Sequence, residues 1–311
     1  MEVIALHYPH TMKKEDFPKL ALALGYFDGV HLGHQKVIQT AVNYAKEHQI
    51  KSAVMTFDPH PIVVLKKSSH IDMITSLEQK IELIRSLGVD YVFVVSFTKE
   101  FANLEPQEFV DQYLIGLNVQ HVVAGFDYTY GRLGKGTMAT LPVHSRGQFT
   151  QTTVEKLEKD GIKVSSSAIR SFLLNGELEK VREFLGRYFS VHGKVVHGKK
   201  RGRQLGFPTA NIRLDDETLK PPVGVYAVKV LVHNKWYVGA CNFGYNITFE
   251  DGPLEPQAEV YIIDFSGDIY GETIVVEWHK RLRNELKFAN LDDLIAQIRQ
   301  DVEDAKAVFQ N

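Results

Sequence analysis

Cysteine is almost missing from this sequence. Among 311 residues only Cys241 carries a thiol, which excludes an internal disulfide and any cysteine-rich zinc site and fits a reducing compartment. An excess of one charge is missing as well. With 36 Lys and Arg against 38 Asp and Glu, the formal charge is −2, whereas a bulk nucleic-acid binder is clearly basic. No apolar run approaches the ~20 residues needed to span a bilayer. The opening Met1-Glu-Val-Ile-Ala-Leu-His-Tyr-Pro9 has neither the basic start nor the long apolar core of a signal peptide. Internal repeats, low-complexity tracts and long linkers are also absent. These absences leave a cytoplasmic protein that binds neither membrane nor nucleic acid. Apolar residues at 44% and charged residues at 24% describe an ordinary globular chain, and 311 residues are many for one core, so two domains are expected.

Up to residue 184, apolar strand-like runs alternate with helical patterns, the signature of a parallel α/β sheet. Strands are expected at 20–24, 52–57, 91–97 and 121–125. Ser76-Leu-Glu-Gln79 has capping-box spacing, with Ile81, Ile84 and Leu87 recurring behind it. Pro106 suits the first turn of a helix striped by Phe109, Val110, Tyr113 and Leu114. After Phe184 the texture changes to short β-rich runs at 190–196, 225–232, 236–241, 258–265 and 273–278, with His233-Asn-Lys235 as a hairpin connection. Such a series predicts a small antiparallel barrel. A helix capped by Asn290 closes it, with an apolar face of Leu291, Leu294, Ile295, Ile298, Val302 and Ala305. The expected architecture is a Rossmann-like α/β domain over 1–184 and a β-barrel with a C-terminal helix over 185–311.

The most informative string is Gly25-Tyr-Phe-Asp-Gly-Val-His-Leu-Gly-His34, which sets His31 and His34 around Gly33 between a strand and a helix start. A turn of this kind offers backbone N–H groups and a helix dipole to phosphate, and the imidazoles can donate from either side. A chance pair of surface histidines is the plain alternative; the strand-to-helix context favours phosphate. Ser165-Ser-Ser-Ala-Ile-Arg170 is a second anion cradle, with hydroxyls at a helix start and one arginine, or else a simple N-cap beside a solvated arginine. Residues 129–137 fail as a P-loop, because Thr129 stands at the first glycine and Gly136 follows Lys135. The basic, glycine-rich stretch 193–206 reads as a solvated charge run, an RNA-contacting loop or a phosphate-covering loop. Just beyond it, Thr209 and Asn211 are two residues apart, so on an extended segment both point to one face and present hard oxygen ligands suited to Mg²⁺.

Five segments in order resemble the prokaryotic bifunctional riboflavin kinase/FAD synthetase family, whose first domain is an H-x-G-H nucleotidyltransferase. They are the histidine string, Thr56-Phe-Asp-Pro-His-Pro61, Gly125-Phe-Asp-Tyr-Thr-Tyr-Gly131, the serine cradle and Gly206-Phe-Pro-Thr-Ala-Asn-Ile212, and they cover nearly the whole chain. The resemblance implies FMN + ATP → FAD + pyrophosphate in the first domain and phosphorylation of riboflavin to FMN in the second. It places His31, His34 and Arg170 on the ATP phosphates. Gly25, Phe27, Asp28, Gly33, Asp58, His60, Gly125, Asp127, Gly131, Ser165 and Ser166 then line the ATP and flavin pockets. In the barrel it implies that Gly198, Gly202, Gly206 and Pro208 form the ATP-covering loop. Thr209 and Asn211 hold Mg²⁺, Glu259 takes the proton of the ribityl 5′-hydroxyl, and Arg283 lies at the flavin end. The partners implied are small molecules (ATP, riboflavin and FMN), in a monomer or weak homo-oligomer.

Three positions depart from the family pattern. Ser167 stands where threonine is usual and keeps the hydroxyl. Tyr261 replaces the histidine two residues after Glu259, and Ile247 replaces the proline of a Pro-Thr-Phe segment. The last two leave a second reading open, in which the chain only adenylylates FMN and the barrel has weak or no kinase activity.

Overall fold

The sequence Leu20-Ala-Leu-Ala-Leu24 is buried on both faces, and its alternation sorts the first core. The computed structural model describes residues 1–65, 71–198, 202, 206–245 and 256–310. Its first compact unit, Met1–Ser166, is built on β1 (Glu2–Leu6), β2 (Leu20–Leu24), β3 (Lys51–Asp58), β4 (Tyr91–Ser96), β5 (Val119–Gly125) and β6 (Thr150–Val154). All six strands are parallel, in the order 1-4-3-2-5-6. Helices α1 (Leu32–Glu47) and α2 (Leu77–Ser86) follow β2 and β3. Period-two alternation sends Leu20, Leu22 and Leu24 to a face filled by Phe93, Phe101, Phe109 and Tyr113. On the opposite face the small Ala23 lets Val37, Ile38, Ala41 and Val42 of α1 approach closely. Winding proceeds from β2 through β3 to β4, whereas β5 lies on the other side of β2. The direction of winding therefore reverses between β2 and β5, where an open α/β sheet leaves its ligand crevice at the carboxyl ends. Leu24 pairs with Ala124 there, so Gly25 and Gly125 lie side by side at the carboxyl end of the sheet.

Several expectations are met within a residue or two. Ser76 caps α2 by accepting from the Gln79 N–H (3.3 Å). Pro106 opens a helical turn, which over Val110–Ile115 widens to π-type, the Gly116 N–H reaching the Asp111 carbonyl at 2.9 Å. Strands β1 and β6, the two edges, lie outside the runs expected from sequence.

The second compact unit, Ser167–Asn311, contains all but the first residue of α3 (Ser166–Leu174), then α4 (Leu178–Leu185) and a barrel. The barrel strands are β7 (Phe189–Val196), β8 (Thr209–Leu214), β9 (Gly224–Val232), β10 (Lys235–Tyr245), β11 (Pro256–Ile262) and β12 (Thr273–Arg283). Every pairing is antiparallel, and the sheet closes in the order 7-8-11-10-9-12. Its interior is filled around Trp278, which Tyr226 and Phe243 meet edge-on at 5.0 and 5.6 Å. The β9–β10 hairpin turns through His233 and Asn234, both at positive φ, as a two-residue connection with right-handed strand twist requires. Asn290 caps α5 (Leu291–Val308), accepting from the Asp293 N–H at 2.9 Å. Packing divides the chain earlier than the change of sequence texture at 184, because α4 lies on β12 and β7.

Candidate active sites

The turn after β2 is held from below by one buried carboxylate. Asp28 Oδ1 accepts from the N–H groups of Ile74 (2.9 Å) and Thr75 (3.2 Å), and the Gly29 N–H donates to Thr75 Oγ1 (3.1 Å). The Asp28 carbonyl accepts from Ser166 Oγ (3.0 Å), so the start of α3 is fastened to the same turn. Asp28 thus clasps the backbone of two segments. Asp28→Ala strips two buried amides of their acceptor and is expected to cost about 1–3 kcal/mol of stability, read as a lower denaturant midpoint.

Out of this clasp rise the two histidines. His31 is buried and caps α1, its Nδ1 accepting from the His34 N–H at 3.2 Å, which assigns the proton of the neutral ring to Nε2. The His34 ring stacks on it at 3.5 Å and meets Phe27 edge-on at 5.3 Å. A side chain at Gly33 would press against His31 Cε1 at 3.1 Å, so glycine is what lets the rings sit together. Burial holds the His34 pKa well below its usual value, and the nearby charges of His31 and Lys80 push the same way. His34 is therefore neutral at pH 7. Its Nδ1 is buried without a hydrogen-bond partner among the described residues, an orphan of the kind a ligand satisfies.

Lys80 was not singled out from sequence. It is 2% exposed, donates from Nζ to the Tyr26 carbonyl at 3.1 Å and lies 4.1 Å from the Tyr26 ring centroid. The sequence did carry a signal, because Lys80, Ile84 and Leu87 fall at i, i+4 and i+7, which sets a charge on the apolar stripe. The His60 ring lies 4.2 Å from that of Tyr26, and its Nδ1 accepts from the Ile62 N–H. Asp58 ends β3.

Gly125 ends β5, and two residues on Asp127 is exposed and paired with Lys163 at 2.6 Å. Gly131 has φ +70°, and a Cβ there would lie 2.7 Å from Pro106 Cα. Tyr130 belongs to the aromatic core. Residues 129–137 form a small ribbon, Thr129–Tyr130 against Gly136–Thr137. Ser165 immediately precedes α3, and Arg170 stands one turn into that helix, within the second unit.

On the barrel, register brings the second set together. Asn211 lies opposite Glu259 and Thr209 opposite Tyr261 on β8 and β11, so four side chains share one face. Ala258, Val260 and Ile262 of β11 point inward, which puts Glu259 and Tyr261 on the outer surface. Asn242 of β10 pairs with Glu259 from the other side, making a row Asn211–Glu259–Asn242 that sequence reasoning did not complete. Gly198 lies directly on this face: a Cβ there would collide with the Asn211 amide. The Phe207 N–H donates to the Gly202 carbonyl at 2.8 Å, and Gly206 turns at φ +84° before the exposed Pro208. The Tyr261 ring meets Phe207 edge-on at 5.5 Å. Arg283, at the end of β12, makes a two-pronged pair with Asp301 of α5 at 2.7 Å on each prong, so its guanidinium joins strand to helix. Ile247 lies outside the described residues, as do Lys199 to Arg201 and Arg203 to Leu205 of the basic loop.

A parallel α/β sheet with a histidine turn at its reversal point, followed by a closed antiparallel barrel with a polar row on its outer face, is the architecture of a two-domain transferase. The FAD synthetase family model matches residues 13–168, and the riboflavin kinase family model matches 185–309. A bifunctional riboflavin kinase/FMN adenylyltransferase of Bacillus subtilis is 50% identical, covering 100% of this chain and 99% of the relative. One from Listeria monocytogenes is 46% identical over 99% of this chain and 98% of its own. This chain belongs to the family of bifunctional riboflavin kinase/FMN adenylyltransferases. The crystal structure of a macrolide-efflux protein from Streptococcus pneumoniae has the same fold, with TM-score 0.88, 34% identity and coverage of 98% of this chain and 99% of that one. Both family models that match this chain describe flavin enzymes. Among the described residues no helix is long and apolar enough to cross a membrane.

Proposed function

We propose that this chain phosphorylates riboflavin to FMN on the barrel and adenylylates FMN to FAD on the parallel sheet, using ATP both times. The observation that carries the reading is the pairing of the histidine turn at the sheet's reversal point with the Asn211–Glu259 register pair on the barrel. The catalytic halves are taken as 1–184 and 185–311, with α4 packed on β12 and β7 of the barrel.

In adenylyl transfer an FMN phosphate oxygen attacks the α-phosphorus of ATP, the bond to the β-phosphate oxygen breaks, and pyrophosphate leaves. The nucleophile is already anionic, so positioning and charge stabilisation carry the rate. His31 Nε2–H and the amides at the start of α1 meet the phosphates, the neutral His34 beside them adds a donor, and Ser165, Ser166 and Arg170 form the second cradle. Asp28 acts by positioning, and Gly25, Phe27, Gly33, Asp58, His60, Gly125, Asp127 and Gly131 shape the pocket.

In the kinase step the ribityl 5′-hydroxyl attacks the γ-phosphorus, its proton passes to Glu259, and ADP leaves. Thr209 and Asn211 offer a hydroxyl and an amide oxygen on the face beside Glu259, a donor set that fits Mg²⁺. Thr209 and Asn211 would hold the ion, which would supply positive charge against the ATP phosphates. Gly198, Gly202, Gly206 and Pro208 cover the nucleotide, and Arg283 fixes the flavin end through its hold on α5. Gly198→Ala is expected to raise KM for ATP several-fold in riboflavin phosphorylation and leave FMN adenylylation unchanged.

The chain is proposed to work in the cytoplasm on small molecules, as a monomer or weakly associating homo-oligomer. Chromatography of riboflavin, ATP and Mg²⁺ incubated with the purified chain tests the reading: FMN followed by FAD is expected. FAD from supplied FMN, with no FMN from riboflavin, would instead select an adenylyltransferase with an idle barrel.

A further inference from the structure

Burying a lysine is costly, because its ammonium loses water that only hydrogen bonds or anions can replace. Lys80 is buried, yet among the described residues its one hydrogen-bond acceptor is the Tyr26 carbonyl, which also receives Thr56 Oγ1 at 2.8 Å. Two of its three donors therefore remain for something else. Asp28 in the turn and Asp58 at the end of β3 stabilise its charge from a distance, and His34 on α1 feels that charge as repulsion. Tyr26, whose hydroxyl reaches Met73 Sδ at 3.5 Å, and His60, whose ring lies 4.2 Å from that of Tyr26, complete the neighbourhood.

We infer that Lys80 is a phosphate-positioning residue of the adenylyl-transfer site, its ammonium fixed on the Tyr26 carbonyl and directing its remaining donors at a phosphate of the bound nucleotide or FMN. This rests on the reading of the parallel-sheet unit as the FAD-forming site. The geometry sets a buried ammonium, charged at pH 7, near a His34 ring that burial keeps neutral. A purely structural lysine would be expected to fill its donors with protein oxygens, and this one does not.

Burial lowers the Lys80 pKa from 10.5 to about 8, against the pull of Asp28 and Asp58. The ammonium is present below pH 8 and lost above it, so FAD formation should fall on the alkaline side near that value. Stability runs the other way. Between about pH 8 and 10.5 the unfolded chain binds more protons, so stability rises with pH there, and the cost of burial is fully present at pH 7. Lys80→Met removes that cost and keeps the stem.

The test compares the parent with Lys80→Met and Lys80→Arg, measuring FAD formation, riboflavin phosphorylation, melting temperature and the pH profile. Lys80→Met is expected to lose about 10²-fold in kcat/KM for FAD formation, with unchanged riboflavin phosphorylation and a melting temperature no lower than the parent's. Lys80→Arg should retain FAD formation within about tenfold and lose the alkaline limb, since guanidinium does not deprotonate. Full adenylylation by Lys80→Met, or an alkaline limb unmoved in Lys80→Arg, overturns the proposal. Should Lys80→Met fail to fold, the pH profiles of the parent and Lys80→Arg decide alone. A parent that makes no FAD from FMN and ATP sinks the underlying reading instead.

Discussion

His31→Ala is expected to lower FAD formation from FMN and ATP by about 10²–10³-fold, the range for removing a preorganised donor from a developing negative charge. Riboflavin phosphorylation should continue at the parent rate, because His31 belongs to the sheet and not to the barrel. The side chain has two duties, and they can be separated. As the N-cap of α1 it accepts from the His34 N–H, a bond worth about 1 kcal/mol, and it also supports the stacked ring of His34. His31→Asn keeps a capping acceptor and removes the imidazole, so it should fold like the parent and form FAD as poorly as the alanine variant. Full FAD formation by His31→Asn would assign His31 to helix capping alone.

Glu259→Gln is expected to lower FMN formation from riboflavin by about 10²–10⁴-fold and leave FMN adenylylation intact. The change preserves shape and removes the basic oxygen, so loss follows only if a proton must be taken at that position. Glu259 sits between Asn211 and Asn242 in register, and amide neighbours hold a carboxylate without neutralising it. Since its strand neighbours Ala258 and Val260 carry the packing, the melting temperature should stay within experimental error of the parent. A folded Glu259→Gln chain that phosphorylates riboflavin normally would move the base elsewhere. Equal loss of both activities in either single variant would contradict two independent sites.

Most strands were legible in the sequence; the two edge strands of the parallel sheet and β8 of the barrel were not among the expected runs. Strand β2 announces itself because it is buried on both sides, and its apolar run ends in the glycine turn that marks the site. Strand β6 is Thr-Gln-Thr-Thr-Val, polar because an edge strand meets solvent, and so it offers no apolar run to read. At the other edge β1, Glu-Val-Ile-Ala-Leu, does carry an apolar run, but it is short and only Leu6 is buried. Thr209 and Asn211 could be placed on one face by parity alone, but their partners Tyr261 and Glu259 depend on strand pairing, a long-range choice that spacing does not encode. Asn242 was invisible on the same ground. Asp28 was read as a pocket residue; the amides that it clasps lie 46 and 47 positions away. Lys80 breaks the stripe of its helix, so the anomaly was present in the letters while its cause lay in the tertiary structure.

Wearing the Glu259 cluster on the skin of a closed barrel has an evolutionary consequence. Mutations that tune or extinguish that chemistry need not touch Trp278, Tyr226 or Phe243 inside. Lineages of this architecture can thus drift in catalytic talent while inheriting an undisturbed scaffold, and a silent half would persist as a well-folded passenger.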